Sequence, residues 1–435
     1  MSSCYDVVIV GAGVAGLRVG IEVMKKHPSL RCCLLEKYNY IGGRVVTYHK
    51  DVDGLSGGIQ WENGAGRIST SHKRVLRLMR RYGLTFVPIQ GETKFLPVKG
   101  SVFPPPLEAN RFYQMLHLYL TPLTHLRQEV LATHTLGELL EQMLGAKKAK
   151  TFYEQFPYYA EIHLMRADLA LESFQEEMGT NEGFGVCAEG YQMIPLKMRD
   201  EFASLGGEVL MGLTVTGVAP LDGENGVEVR GVERTCWGEK VKRVFMGKTV
   251  VLTLHAVALR TIQGVKELPV LGHLAQPPLL RLYAVFPKVD GKVWFHDLPK
   301  VVTDSPLRYV IPIDKEKGVI MISYTEGPDA EYWMKMPPRR MEKAVLKGIR
   351  DMFPERNIPA PLFFKEHPWS DGCTYWLPGT YDAAEESRRS LQPLPAEMPR
   401  LFLCGESFSL RQAWVEGALE QADALVRLEA FQEGL

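Results

Sequence analysis

Residues 5–16 read Tyr-Asp-Val-Val-Ile-Val-Gly-Ala-Gly-Val-Ala-Gly. A second apolar run, Leu34-Leu35, ends at Glu36 about twenty positions further on. Val7 to Val10 is a continuous β-branched stretch, the pattern of a parallel strand buried on both faces. Gly11 permits the tight turn that leaves the strand, and Gly13, followed by Val14 and Ala15, lets the backbone approach a pyrophosphate. Gly16 allows the next helix, expected over 14–26, to lie close to the strand, and the unpaired N–H groups at its start point at the anion. Glu36 can accept both ribose hydroxyls, and Lys37 follows it at the same edge. Strand, glycines, helix and acid in this order make a dinucleotide-binding unit. On these residues alone the ligand is NAD or FAD.

With 435 residues, 46% of them hydrophobic, the chain can bury a large core and should hold more than one domain. Its 51 basic residues balance 51 acidic ones, so nothing in the charge points to nucleic acid or an anionic membrane surface as the main partner. The cysteines (Cys4, Cys32, Cys33, Cys187, Cys236, Cys373 and Cys404) are scattered, odd in number and form no CxxC pair. That usage fits a reducing compartment better than a disulfide framework. The first strand begins almost at once, leaving no room for a signal peptide, and no apolar run or tail reaches membrane-spanning length. A cytoplasmic protein without a membrane span is expected. The histidines show no HxxxH or HxH pair, so no metal site is expected. Gly405-Glu-Ser407-Phe-Ser409 is not a nucleophile elbow, which needs glycine two positions after its serine.

Along the chain, helical spacing is expected over 71–82, where Val75, Leu78 and Met79 share a face. A proline-rich break covers 102–106, amphipathic helical patterns run from 107 to 177, 183–190 reads as a loop and 192–205 as a helix. Short strand-like runs follow at 208–213, 226–232, 242–245 and 249–254, then at 279–286, 309–313 and 319–324. A helix is expected over 338–352, an apolar run at 401–404 and a closing helix from Trp414. If 401–404 returns to the sheet begun at Val7, the first and last segments share one domain and the middle forms another over the cofactor's reactive end.

Three more motifs favour FAD over NAD: Ile41-Gly42-Gly43-Arg44, the segment Leu401-Phe-Leu-Cys-Gly405-Glu406, and Trp414-Val-Glu416-Gly417-Ala418. Together with Glu208 to Val215, which looks like the strand and turn that meet the adenine, they resemble the flavin-containing amine oxidase family. That family includes monoamine, polyamine and L-amino-acid oxidases. The resemblance implies an α/β fold in which a GxGxxG Rossmann-type FAD-binding domain (1–85, 186–265 and 396–435) is interleaved with a substrate domain. The substrate domain would have a helical part (86–185) and a mixed-sheet part (266–395). It also implies that Gly43 passes close to FAD, that Arg44 bonds the pyrophosphate, and that Gly405 and Glu406 form the second cofactor segment. Trp414 and Val415 would start the last helix beside the isoalloxazine, where the helix dipole favours negative charge on the reduced ring.

Glu62-Asn-Gly64-Ala65-Gly66-Arg67 is similar to the L-amino-acid oxidase branch, in which the matching arginine clamps the substrate carboxylate and the loop borders the cofactor. The other reading of Arg67 is a pair with Glu62 or with a phosphate. Trp369 to Gly379 resembles the monoamine oxidase segment in which the cysteine matching Cys373 carries FAD as a thioether, although Thr374 stands where an aromatic cage residue is usual. Trp369, Tyr375 or Trp376 would supply a wall facing Trp414. Arg281, five residues before Phe286, occupies the place of a lysine that usually holds a water near flavin N5, and a rigid, permanently charged guanidinium cannot imitate it.

The expected reaction takes a hydride equivalent from the carbon beside an amine to flavin N5, giving an imine that hydrolyses, while oxygen is reduced to hydrogen peroxide. The expected substrate is a small molecule, an L-amino acid first and a monoamine or polyamine second. A homodimer is compatible with the resemblance. A desaturase or protoporphyrinogen-oxidase-like enzyme, or a flavoprotein without catalysis, are the other readings.

Overall fold

The computed structural model describes residues 2–53, 55, 57–89, 93–98, 112–175, 183–221, 225–234 and 238–435. The break expected at 102–106 and Cys236 lie outside them. The strand Ser2–Val10 is central to the first sheet. It pairs in parallel with Cys32–Leu35 on one side and Lys240–Leu252 on the other, and Cys32–Leu35 pairs in parallel with Glu208–Leu210. Leu401–Leu403 returns to Lys240–Leu252, also in parallel. Val227–Arg234 and Leu213–Pro220 extend this edge as an antiparallel ribbon. Both faces are dry. Val7 and Ile9 pack into one cluster with the helices Val14–Lys26, Met193–Ser204 and Val415–Leu425, while Val8 and Val10 enter a second cluster. Each such buried side chain contributes roughly 1.5–3 kcal/mol. Gly16 is needed for this packing, because an added Cβ would sit 2.1 Å from the Gly11 carbonyl oxygen.

The second sheet has the order Phe363–Trp369, Leu279–Val285, Val319–Glu326, Tyr309–Asp314, Lys300–Thr303 and Thr93–Leu96. Its last pair is parallel and the others antiparallel. Period-two alternation sorts the strand Leu279–Val285. Leu280, Leu282 and Ala284 pack with Val345 and Ile349 of the helix Pro338–Met352. Arg281 and Tyr283 take the opposite face, where Tyr283 meets Ile59 and Trp61 of the hairpin Thr47–Lys50/Ile59–Glu62. Short helices between Phe112 and Ser173 pack into a separate cluster with Tyr309 and Tyr375. Among the described residues no helix is long and apolar enough to cross a membrane.

Several element boundaries differ from expectation. The runs at 242–245 and 249–254 are one strand, Lys240–Leu252, whose first half pairs antiparallel with 227–234 and whose second half joins the parallel sheet. The loop expected over 183–190 contains the strand Phe184–Cys187, held between Ile68–Ser69 and Phe86–Pro88. The long helical patterns of the middle segment are short helices, broken at Gly145, whose φ is +79°, and at Pro157.

Candidate active site

The carboxyl ends of the parallel strands open onto a cavity of about 1600 Å³ that continues to the inner face of the second sheet. This exceeds the roughly 300–1,000 Å³ of an ordinary small-molecule site, so a dinucleotide and a second ligand have room together. Gly11, Gly13, Ala15, Glu36, Lys37 and Val215 line one end of it. Gly16 is not in the wall; it acts one layer behind, between helix and strand. Glu36 is buried, accepting from the Ala12 N–H at 2.8 Å and the Tyr38 N–H at 2.9 Å, and burial raises its pKa. A carboxylate has about four acceptor positions, so acceptor capacity remains for a ligand. A Cβ on Gly13 would meet nothing within 4 Å, and no side chain among the described residues caps the helix that starts there. Gly43, at φ +61°, lies against Gly13, bringing the two glycine segments together.

Arg44 ties the middle of the cavity. Its Nη1 donates to the Gly372 carbonyl at 2.8 Å and its Nη2 to Glu406 Oε2 at 2.7 Å. Glu406 also accepts from the Thr374 and Ala413 N–H groups at 3.0 and 2.8 Å. Ala413 has φ +66°, an uncommon conformation for a residue with a side chain, and it sets the entry to Trp414, the N-cap of the helix Val415–Leu425. Gly405, Val415 and Cys373 share this wall. Burial pushes the Cys373 thiol up to about 12.

The loop Gly64-Ala65-Gly66-Arg67 runs against Arg44. A Cβ on Gly64 would lie 2.0 Å from the Arg44 carbonyl oxygen, and the Ala65 N–H donates to that oxygen at 2.9 Å. The Arg67 guanidinium sits 5.1 Å from the Phe184 ring and 5.7 Å from the Trp414 ring, and the two rings stack at 5.8 Å. Arg67 does not pair with Glu62. That carboxyl accepts from Thr47 Oγ1 and the Tyr191 N–H, both at 2.9 Å, and burial lifts it to about 7. Arg281 is a clamp on this loop: Nη1 donates to the Glu62 carbonyl at 3.1 Å and to the Gly64 carbonyl, and the guanidinium lies 5.3 Å from the Tyr324 ring. It lines the cavity with Nη1 committed to backbone, while its buried Nε has no partner among the described residues.

Of the three aromatic candidates for the wall facing Trp414, one does not reach the cavity. Trp376 is fully buried, with Nε1 donating to the Ser409 carbonyl at 3.0 Å, and it does not reach the cavity. Thr374 turns away too, its hydroxyl on Glu406 and Ser407. Tyr375 and Trp369 do line the cavity, the latter with Nε1 on the Asn63 carbonyl at 3.0 Å. The cavity also contains acids that sequence reasoning missed. Glu161 and Glu326 lie in its wall beside Tyr375 and Tyr324, and burial raises both carboxyls. Phe184 was missed as well. None of the three carries a motif; Glu161 and Phe184 sit in elements of five and four residues, and Glu326 is the last residue of its strand.

The sequence profile of flavin-containing amine oxidoreductases matches residues 14–426. The flavin-dependent L-tryptophan oxidase RebO of Lentzea aerocolonigenes is 32% identical over 123 residues, 26% of this chain and 25% of that protein. The alignment thus spans about a quarter of that relative's length. Among solved structures, a redesigned putrescine oxidase double mutant superposes with a TM-score of 0.74 at 16% identity, covering 98% of this chain and 100% of that one. Cyclohexylamine oxidase from Brevibacterium oxydans IH-35A gives 0.73 at 17% identity, over 97% and 99%. At these identities the superpositions establish the mixed α/β fold, and the profile establishes kinship: the chain belongs to the flavin-containing amine oxidoreductase family, whose members bind FAD.

Proposed function

We propose that this protein is an FAD-dependent oxidase that acts on an L-amino acid at the carbon beside its amine. The observation that carries this is Arg67, a guanidinium held over two stacked rings in the cavity wall and free of any hydrogen bond among the described residues. A planar fork so placed can take a carboxylate through two parallel bonds.

The residues present fit FAD. Gly13 leaves open space at an uncapped helix start, suited to the pyrophosphate, and Glu36 keeps acceptor capacity for a ribose. Gly11, Ala15, Lys37, Gly43, Arg44, Val215, Gly405, Glu406 and Val415 complete the proposed contacts, with Gly64, Ala65 and Gly66 on the substrate side. When bound, FAD supplies the acceptor for a hydride equivalent. The chain orients the substrate: Arg67 fixes the carboxylate, Trp414 and Tyr375 or Trp369 bound the space beside it, and a water-poor aromatic wall favours the uncharged amine. The start of the helix Val415–Leu425 favours negative charge nearby. Molecular oxygen is the proposed final acceptor and hydrogen peroxide the product. Charged groups around the cavity suit a large apolar desaturase substrate poorly.

The domain boundaries at 85, 185, 265 and 395 belong to the same proposal. They are supported by first-sheet strands at 2–35, 208–252 and 401–403 and second-sheet strands at 93–96 and 279–369. The test is Arg67→Met. We expect kcat/KM for an L-amino acid to fall roughly 10- to 100-fold, the loss of a charge-assisted pair, with little change for the amine that lacks the carboxylate. Equal loss for both would remove Arg67 from substrate binding.

A further inference from the structure

Two carboxyls in the cavity wall have no part in the reaction as described. Glu161, on the helix Tyr159–His163, is 7% exposed, and Glu326 ends the strand Val319–Glu326. Each has one oxygen on a tyrosine: Tyr375 Oη donates to Glu161 Oε1 at 3.5 Å and Tyr324 Oη to Glu326 Oε1 at 2.6 Å. The remaining oxygen of each, Oε2, is buried and has no partner among the described residues. Buried carboxyl oxygens are nearly always bonded, so two such orphans in one cavity wall call for a ligand.

The nearby cations do not fill that place. Arg67 is close enough to favour ionised Glu161, yet its guanidinium lies over Phe184 and Trp414. Arg281 similarly favours ionised Glu326 while donating to the Glu62 and Gly64 carbonyls. Burial holds both pKa values up, the charge of Glu326 adds to this at Glu161, and a cation placed beside them would relieve both effects. Tyr158, Tyr309, Tyr324 and Tyr375 line the same cavity, and aromatic faces with acids behind them suit an organic cation. An ammonium, with three donors and no acceptor, suits carboxyl oxygens that lack a donor.

We propose that Glu161 and Glu326 form a subsite for a second positive charge on the substrate, an ammonium at the end of an unbranched aliphatic chain, so that the L-amino acid oxidised is a basic one. The words "amino acid" rest on the reading of Arg67 given above; the acid pair would hold the same ammonium on a diamine.

The two claims separate in one anaerobic experiment on the FAD-loaded protein. Dissociation constants are read from how the rate of flavin bleaching after rapid mixing saturates with the concentration of L-lysine, L-norleucine, cadaverine and pentylamine. These four compounds combine the presence and absence of a carboxylate with the presence and absence of a terminal ammonium. We expect L-lysine to bind roughly 10- to 100-fold tighter than L-norleucine, and cadaverine tighter than pentylamine by a similar factor. Glu161→Gln and Glu326→Gln should each shrink the lysine-to-norleucine ratio towards one. If L-lysine and L-norleucine bind alike, or none of the four perturbs the flavin, the subsite is refuted. If cadaverine binds as well as L-lysine while both exceed their partners without the ammonium, the subsite stands and the carboxylate anchor falls. The wild-type ratios decide the question even if a variant fails to fold.

Discussion

Arg44 and Arg281 show how far a single side chain's role depends on remote partners. Arg44 joins Gly372 and Glu406, each more than three hundred positions away. Arg44→Met leaves the Glu406 carboxylate short of its cation and removes a proposed phosphate ligand. We expect the purified variant to retain FAD roughly 10- to 100-fold more weakly, read as flavin lost on dialysis. Its place in Gly-Gly-Arg was legible in the sequence. Arg281 was legible as a departure from its family's lysine, but its use as a clamp was not, because the carbonyls it holds lie on a loop some 217–219 positions earlier. Both bonds come from Nη1, which the planar guanidinium carries beside the Tyr324 ring; a lysine ammonium sits on a shorter, flexible stem without that plane. Arg281→Lys should therefore destabilise the protein by about 1–3 kcal/mol, seen as a lower unfolding midpoint. At Cys373, a thiol pushed up to about 12 stays protonated near neutrality and is a poor partner for a thioether bond. Acid precipitation should release the yellow colour to the supernatant; colour in the pellet would establish the covalent link.

Among the elements, the first strand, its glycine turn and its helix were readable because period, punctuation and length agree locally. The hairpin Thr47–Lys50/Ile59–Glu62 and the strand Phe184–Cys187 were not, since each is four residues long in a glycine-rich setting and is fixed by its pairing. The hairpin carries Glu62, whose pKa of about 7 against an ordinary 4.5 makes stability depend on pH. Between those values the native state keeps a proton that the unfolded chain has lost. Stability is therefore full below about 4.5 and falls as pH rises through 7, by at most on the order of 3 kcal/mol. Glu62→Gln copies the protonated form. Denaturant unfolding at acidic and at neutral pH should give a shallower loss of stability in this variant than in the wild type; an equal loss would mean that Glu62 is not the group titrating.

For the molecule as a whole, three separated stretches build one parallel sheet, and the intervening chain builds a second sheet and a helical layer across a common cavity. That interleaving was legible from the return of Leu401–Leu403 and from the family motifs. The acids at the far end were not, because only the packing of the helical layer against the second sheet brings Glu161 and Glu326 together. The chemistry follows from a cavity that adjoins a dinucleotide site and offers a guanidinium on an aromatic platform. Mixing the FAD-loaded protein with L-amino acids in the absence of oxygen tests this most directly. The flavin's visible absorbance is expected to bleach and then to return, with hydrogen peroxide, when oxygen is admitted. Firmly bound FAD that no L-amino acid bleaches would contradict it.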